Sequence, residues 1–170
     1  VHLSGGAVRL VGASGLYVTE PVGGPADQPD YINAILEVRT ILDPYALLVL
    51  CQQVEAHHHR VRLVRWGPRT LDIDVISYDD LVSDNPVLTL PHPRAHERAF
   101  VLVPWEQANP QAVIPSRDAA TGEQMLQLVA DLARRVRAAD ERAGVNAVRF
   151  MRDMNLPKNL FDSGAESEGV

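Results

Sequence analysis

Arg65-Trp66-Gly67-Pro68-Arg69-Thr70-Leu71-Asp72-Ile73-Asp74-Val75 is the most informative stretch of the chain. Its second half alternates, with Asp72 and Asp74 set between Leu71, Ile73 and Val75. A period of two predicts a strand over 70–78 with its apolar residues in the core. The two carboxylates then share the other face, about 6.6 Å apart at about 3.3 Å per residue. Like charges so placed repel unless a cation lies between them. Mg2+ suits the position, because it takes one or two carboxylates and completes its shell with phosphate oxygens. A carboxylate pair can also hold two metals that clamp an in-line phosphoryl displacement. On its own, Asp-x-Asp is most often two acids on a solvated strand face.

The surroundings change that balance. Arg60, Arg62, Arg65 and Arg69 precede or flank the acids, and Arg94 and Arg98 follow. They lie in a chain of 170 residues with 16 Lys and Arg against 22 Asp and Glu, a net charge of −6. An acidic chain has no general field for nucleic acid or anionic lipid, so an anion site has to be a local Arg cluster. Guanidinium forks grip phosphate oxygens two at a time, and a transferring phosphoryl group needs that charge neutralisation. No Gly-rich phosphate loop of the Walker type is present. Gly23-Gly24, in a Pro-rich stretch, reads as a turn, so this is not a P-loop enzyme.

Composition narrows the class further. The chain is 46% hydrophobic and 22% charged, as globular proteins are. No apolar run is long enough for a membrane span. Cys51 is the single cysteine, which excludes an internal disulfide and a Cys-based zinc site and suits the reducing cytoplasm. His57, His58 and His59 are consecutive and cannot all face one metal, so they read as a solvated loop.

Further out, Val8–Thr19 reads as one strand, open to a bulge at its glycines, and Tyr31–Thr40 as a second. Asp43 and Pro44 are an N-cap and first-turn pair opening a helix to about Glu55. A basic loop runs from 56 to 68 and a turn from 79 to 86. A short strand follows at 87–90, then a helix over 95–103 that stops at Pro104. Residues 109–117 read as loop. Met125, Val129, Leu132 and Val136 space a helix over 122–142. Residues 145–151 read as a last strand, and 159–170 as a disordered acidic tail after one domain over 1–158. Strands mixed with helices indicate an α+β or α/β fold.

Arg65 to Asp74 resembles the central motif of the 6-hydroxymethyl-7,8-dihydropterin pyrophosphokinases, a family of folate synthesis. Tyr17-Val18-Thr19-Glu20-Pro21, Gln28-Pro29-Asp30-Tyr31-Ile32-Asn33, Leu90-Pro91-His92-Pro93-Arg94 and Glu97-Arg98-Ala99-Phe100 follow in that family's order. The resemblance covers roughly residues 8–115. It implies an ATP-dependent diphosphotransferase that moves pyrophosphate from ATP to the pterin hydroxymethyl group and releases AMP. It implies two Mg2+ ions on Asp72 and Asp74, with Arg62 and Arg69 as the other catalytic residues. Nucleotide contacts would come from Gln52, Glu55, Arg62, Trp66, Arg69, Val75, Thr89, His92 and Arg98. The pterin pocket would be Thr19, Glu20, Val22, Tyr31, Asn33, Trp66 and Phe100, with Trp66 and Phe100 as stacking planes. No side chain stands out as a general base; Asp74 could accept the proton.

The fold implied is α+β: a ferredoxin-like antiparallel sheet with helices on both faces, an α/β/α sandwich. The family opens with a strand, a Gly-Ser-Asn-type turn and a helix that this sequence does not show. The expectation is a domain N-terminally incomplete relative to the family. The alternative role is a catalytically incomplete nucleotide- and pterin-binding part of a bifunctional folate-enzyme fusion. A different transferase using an Asp-x-Asp metal pair is a third reading, disfavoured by the pterin-pocket matches. The partners expected are ATP and the pterin, with no nucleic acid and no membrane, and a monomeric state.

Overall fold

A computed structural model of the chain describes residues 6–20, 29–58, 71–118, 120–143 and 148–156. Among them are nine strands and three helices. The strands form small antiparallel sheets, so the fold is α+β.

The first predicted strand is two. β1 (Val8–Ala13) and β2 (Leu16–Thr19) are separated at Ser14-Gly15. The second also divides, into β3 (Tyr31–Asn33) and β4 (Leu36–Thr40). The breaks match: β1 pairs with β4, while β2 pairs with β3. Ser14 ties them together, because its N–H donates to Ile35 O (2.9 Å) and its Oγ accepts from Ile35 N (2.9 Å). Both strands therefore leave one sheet and enter another at the same level. The register of β1 shifts between Leu10 and Gly12, the bulge the glycines suggested.

β2 is the centre of its sheet, with β3 on one side and β9 (Arg149–Arg152) on the other. Gly15 is required there. A Cβ at this position would lie 2.6 Å from Phe150 Cε2 and 2.8 Å from Arg152 O.

α1 (Pro44–His57) begins as its sequence predicts, with Asp43 Oδ1 accepting from Tyr45 N (2.9 Å) and Ala46 N (3.0 Å). Residues 71–78 differ from expectation. Leu71, Ile73 and Val75 are half-buried and Asp72 and Asp74 exposed, so the alternation of faces holds, but no strand forms. A strand needs a ladder partner, and no described residue supplies one. Other acceptors and donors hold the segment: Glu55 Oε1 takes Ile73 N–H (2.8 Å), and Ile76 O takes His92 N–H (2.8 Å).

The expected turn over 79–86 is shorter, because β5 (Ser83–Asn85) forms a hairpin with β6 (Leu88–Leu90). After it, Ala95–Glu97 is a 3₁₀ turn and α2 spans Ala99–Ala108. Pro104 lies inside α2 rather than ending it. Its missing N–H costs a helical bond, but Val101, Leu102, Val103 and Pro104 are all buried, which offsets the loss.

The C-terminal half departs furthest. Residues read as loop form β7 (Val113–Arg117), and the front of the predicted long helix is β8 (Gln124–Leu128), its antiparallel partner. Leu126 and Leu128 carry a period of two as well as Met125 carrying the helical one, and cross-strand pairing decides between them. α3 then spans Val129–Arg142. Its Val129, Leu132 and Ala133 meet Val101 and Leu102 of α2, together with Ala112 and Ile114, in the main core. Ala99 and Val103, on another side of α2, pack with Tyr17 of β2 in a second cluster. α2 thus joins the β2 sheet to the C-terminal layer. The predicted tail at 159–170 lies outside the described residues. No helix among the described residues is long and apolar enough to cross a membrane.

Candidate active site

Asp74 is the centre of charge. It lies at the edge of a cleft of ≈ 200 Å³ lined by Leu48, Ile73, Asp74, Val75, Val87, Leu88, Thr89, His92 and Pro93. Three elements build this cleft: α1, the 71–78 segment, and β6 with the turn that follows. Val75, Thr89 and His92, three residues expected from sequence to contact a nucleotide, come together here with Asp74, expected to hold metal.

Electrostatics link Asp74 and His92 to Arg98, which does not line the cleft. Burial pulls His92 below the usual imidazole range, with Arg98 and Arg94 pulling the same way and Asp74 opposing them. Arg98 is likewise lowered by burial and by Arg94, while Asp74 supports its charge. His92 Nδ1 accepts a long 3.4 Å bond from Arg94 N–H, which selects the tautomer with the proton on Nε2. A neutral imidazole held this way is a hydrogen-bond donor at neutral pH.

Arg98 reaches a second group. Its guanidinium carbon is 5.4 Å from the centroid of the Phe100 ring, in cation–π range. The β2–β3 pair carries Tyr17, Thr19, Tyr31 and Asn33 on one face, since Tyr17 lies opposite Asn33 and Thr19 opposite Tyr31. Asn33 Nδ2 donates to the buried Thr19 Oγ1 (2.8 Å), which fixes the orientation of the amide.

On α1, Leu48 lines the cleft, Cys51 senses Asp74, and Glu55 bonds Ile73. The Cys51 thiol is pushed up, first by burial and then by the Asp74 charge. Leu48 escaped the sequence reading as a cleft residue; the only signal was its place on the apolar side of the helix. Gln52 is exposed and does not line the cleft, and Glu20 is exposed at the end of β2. Val22, Arg62, Trp66 and Arg69 lie outside the described residues, as do Arg60 and Arg65.

A larger cleft of ≈ 480 Å³ shares Thr89 and Pro93 with the first but is otherwise lined by residues such as Val82, Leu90, Pro91 and Pro115. Size does not select it as the reaction site, because neither Asp72 nor Asp74 borders it.

The model of the 7,8-dihydro-6-hydroxymethylpterin-pyrophosphokinase family matches residues 2–110. The chain belongs to that family. It is a pyrophosphokinase, a transferase of folate biosynthesis. A 2-amino-4-hydroxy-6-hydroxymethyldihydropteridine pyrophosphokinase of Haemophilus influenzae is 43% identical over 113 residues, 66% of this chain and 70% of that protein. The protein of the same name from Pseudomonas aeruginosa is 43% identical over 107 residues, 63% of this chain and 65% of its own length. Folic acid synthesis protein fol1 of Schizosaccharomyces pombe is 31% identical over 159 residues, 94% of this chain but 22% of that longer protein. The match to the pyrophosphokinase family takes in the whole Asp74 cleft and the β2–β3 face. α3 and the β7–β8 hairpin fall beyond it, as packing for α2.

Proposed function

We propose that the chain transfers the pyrophosphoryl group of ATP to the hydroxymethyl oxygen of 6-hydroxymethyl-7,8-dihydropterin, releasing AMP, on the path to tetrahydrofolate. The observation that carries this is the convergence of Asp74, Thr89 and His92 on one cleft, with Arg98 between that cleft and Phe100. A two-substrate transfer needs a polyphosphate site and a flat-ring site within reach of each other, and Arg98 spans the two groups.

Asp72 and Asp74 fit Mg2+. Both are exposed at an i, i+2 spacing, and a pair of carboxylates suits a site completed by phosphate oxygens and water. Bound there, two Mg2+ would neutralise the polyphosphate and align it for in-line attack. The protein's own residues do the rest. Arg98 places positive charge beside the phosphates, and His92 donates from Nε2 to a phosphate oxygen. Val75 and Thr89 line the nucleotide's seat, while Gln52, Arg62, Trp66 and Arg69 contribute further nucleotide contacts. Thr19 holds the Asn33 amide so that its carbonyl accepts from the pterin edge. Tyr31, Glu20 and Val22 bound the pterin pocket, and Phe100 and Trp66 stack on the ring. The hydroxymethyl oxygen attacks the β-phosphorus, the bridge to the α-phosphate breaks, and AMP leaves with the bridging oxygen. The hydroxyl proton departs, with Asp74 as its acceptor.

The fold we assign to the chain is the ferredoxin-like α/β/α sandwich, working as a cytoplasmic monomer. The test is AMP release from ATP, Mg2+ and 6-hydroxymethyl-7,8-dihydropterin, with EDTA and no-pterin controls. AMP formation that needs both metal and pterin is the expected result. AMP formed without the pterin, or none from a folded chain, refutes the assignment of this activity to the chain.

A further inference from the structure

Glu55 sits where an acid is costly. It is 2% exposed on a helix whose neighbouring Gln52, Gln53 and Ala56 are exposed. Burying a carboxylate is unfavourable unless hydrogen bonds satisfy it. Glu55 also lies in the last turn of α1, where the helix dipole disfavours negative charge. An inward position on this face is otherwise apolar, as Leu47 and Leu48 are.

What the carboxylate does there is visible. Oε1 accepts the N–H of Ile73 at 2.8 Å. Ile73 is the residue between Asp72 and Asp74, in a segment that no described strand pairs with. In a strand, ladder acceptors on a neighbour fix the backbone and so fix which way each side chain points. A one-residue twist in an unladdered segment would turn Asp74 from the cleft it lines, and Asp72 with it from solvent, toward the core. A charge-assisted bond at the N–H between them prevents that twist.

We propose that Glu55 is a positioning residue, whose buried carboxylate stands in for a ladder acceptor at Ile73 and sets the facing of the Asp72–Asp74 pair. This rests on the reading of that pair as the metal-binding acids. It assigns Glu55 a role through the backbone rather than through contact with the nucleotide.

Two measurements test it. The first is hydrogen exchange at the Ile73 amide in the unmodified chain, expected to be slowed about tenfold or more against its unfolded rate. The second is Mn2+ affinity, read by electron paramagnetic resonance in the presence of α,β-methylene-ATP. Glu55→Ala, folded by circular dichroism, should weaken Mn2+ binding about tenfold or more, the scale on which support of metal ligands acts. Glu55→Gln keeps an amide oxygen to accept the same N–H and should stay within about threefold of the unmodified chain. Unchanged Mn2+ affinity in Glu55→Ala overturns the proposal. So does a Glu55→Gln loss equal to that of alanine, which would show that the charge itself is what matters. Should Glu55→Ala fail to fold, the Ile73 amide decides, and an unprotected exchange rate there overturns the proposal. An unmodified chain that binds no Mn2+ with the nucleotide overturns the metal reading, and this inference with it.

Discussion

Gln107, near the end of α2, holds the start of β2 with one atom. Its Oε1 accepts from Gly15 N at 2.7 Å and from Tyr17 OH at 3.1 Å. Both donors belong to buried residues, and burial pushes the Tyr17 phenol up, so it remains a neutral donor at pH 7. Gln107→Ala removes the shared acceptor and strands two donors at once. At about 1–3 kcal/mol for each buried unsatisfied group, and allowing for relaxation, the cost is about 2–4 kcal/mol. Tyr17→Phe removes one donor and leaves Gly15 its acceptor, so it should cost about 0.5–1.5 kcal/mol. With a urea m-value of about 2 kcal/mol/M, these become midpoint shifts of about 1–2 M and under about 0.8 M. Urea titration followed by circular dichroism reads both, at unchanged m. β2 carries Thr19 onward to the proposed pterin face, so Gln107→Ala should also raise KM for the pterin more than KM for ATP. A Gln107→Ala midpoint shift no larger than that of Tyr17→Phe would refute the reasoning, since the glutamine oxygen would then not be the common anchor.

Other outcomes follow from the same geometry. Asp74→Ala, at an exposed position, should leave the fold intact and cut AMP release about 100-fold or more at saturating Mg2+; a near-native rate would remove Asp74 from the metal site. His92 is lowered in the folded chain by burial, then by Arg98 and Arg94 against Asp74, so the unfolded chain takes up its proton first as pH falls. Its contribution to stability is therefore complete above the unfolded value of 6.5 and is lost as pH drops through the folded pKa. Melting curves from pH 7.5 to 5 should accordingly fall more steeply for the unmodified chain than for His92→Gln, and parallel curves would contradict this. Leu102 is 0% exposed in the main core, so Leu102→Ala should cost about 2–5 kcal/mol and lower Tm by about 5–15 °C; calorimetry showing a fall under about 2 °C would mean that α2 and α3 do not pack as described.

Candidates for the site stand out in the sequence more readily than the fold does, and the reason is physical. Asp74, Thr89, His92 and Arg98 draw notice because phosphate and metal chemistry admits few side-chain types, and those types are spaced as a known family spaces them. Asp43-Pro44 likewise marked a helix start because a cap is a local device. Strand partnering is not local. Nothing in Leu71–Tyr78 says whether an acceptor row lies alongside, and Gln124–Leu128 satisfies a helical and a strand period at once until Val113–Arg117 pairs with it. The division of Val8–Thr19 into two strands turns on Ser14 bonding Ile35 across the fold, a contact between residues 21 apart in the chain.

Glu55 shows how the two kinds of information meet. In sequence it closes an apolar helical stripe that includes Leu47, Leu48, Cys51 and Val54. There it marks the end of the predicted helix and, through the family resemblance, a nucleotide contact. The structure buries it, at 2% exposed. It gives the carboxylate work on the backbone between two acids that repel each other. On the proposed reading of Asp72 and Asp74 as metal-binding acids, the bond to Ile73 holds the backbone between them, so that their facing does not depend on a cation being bound.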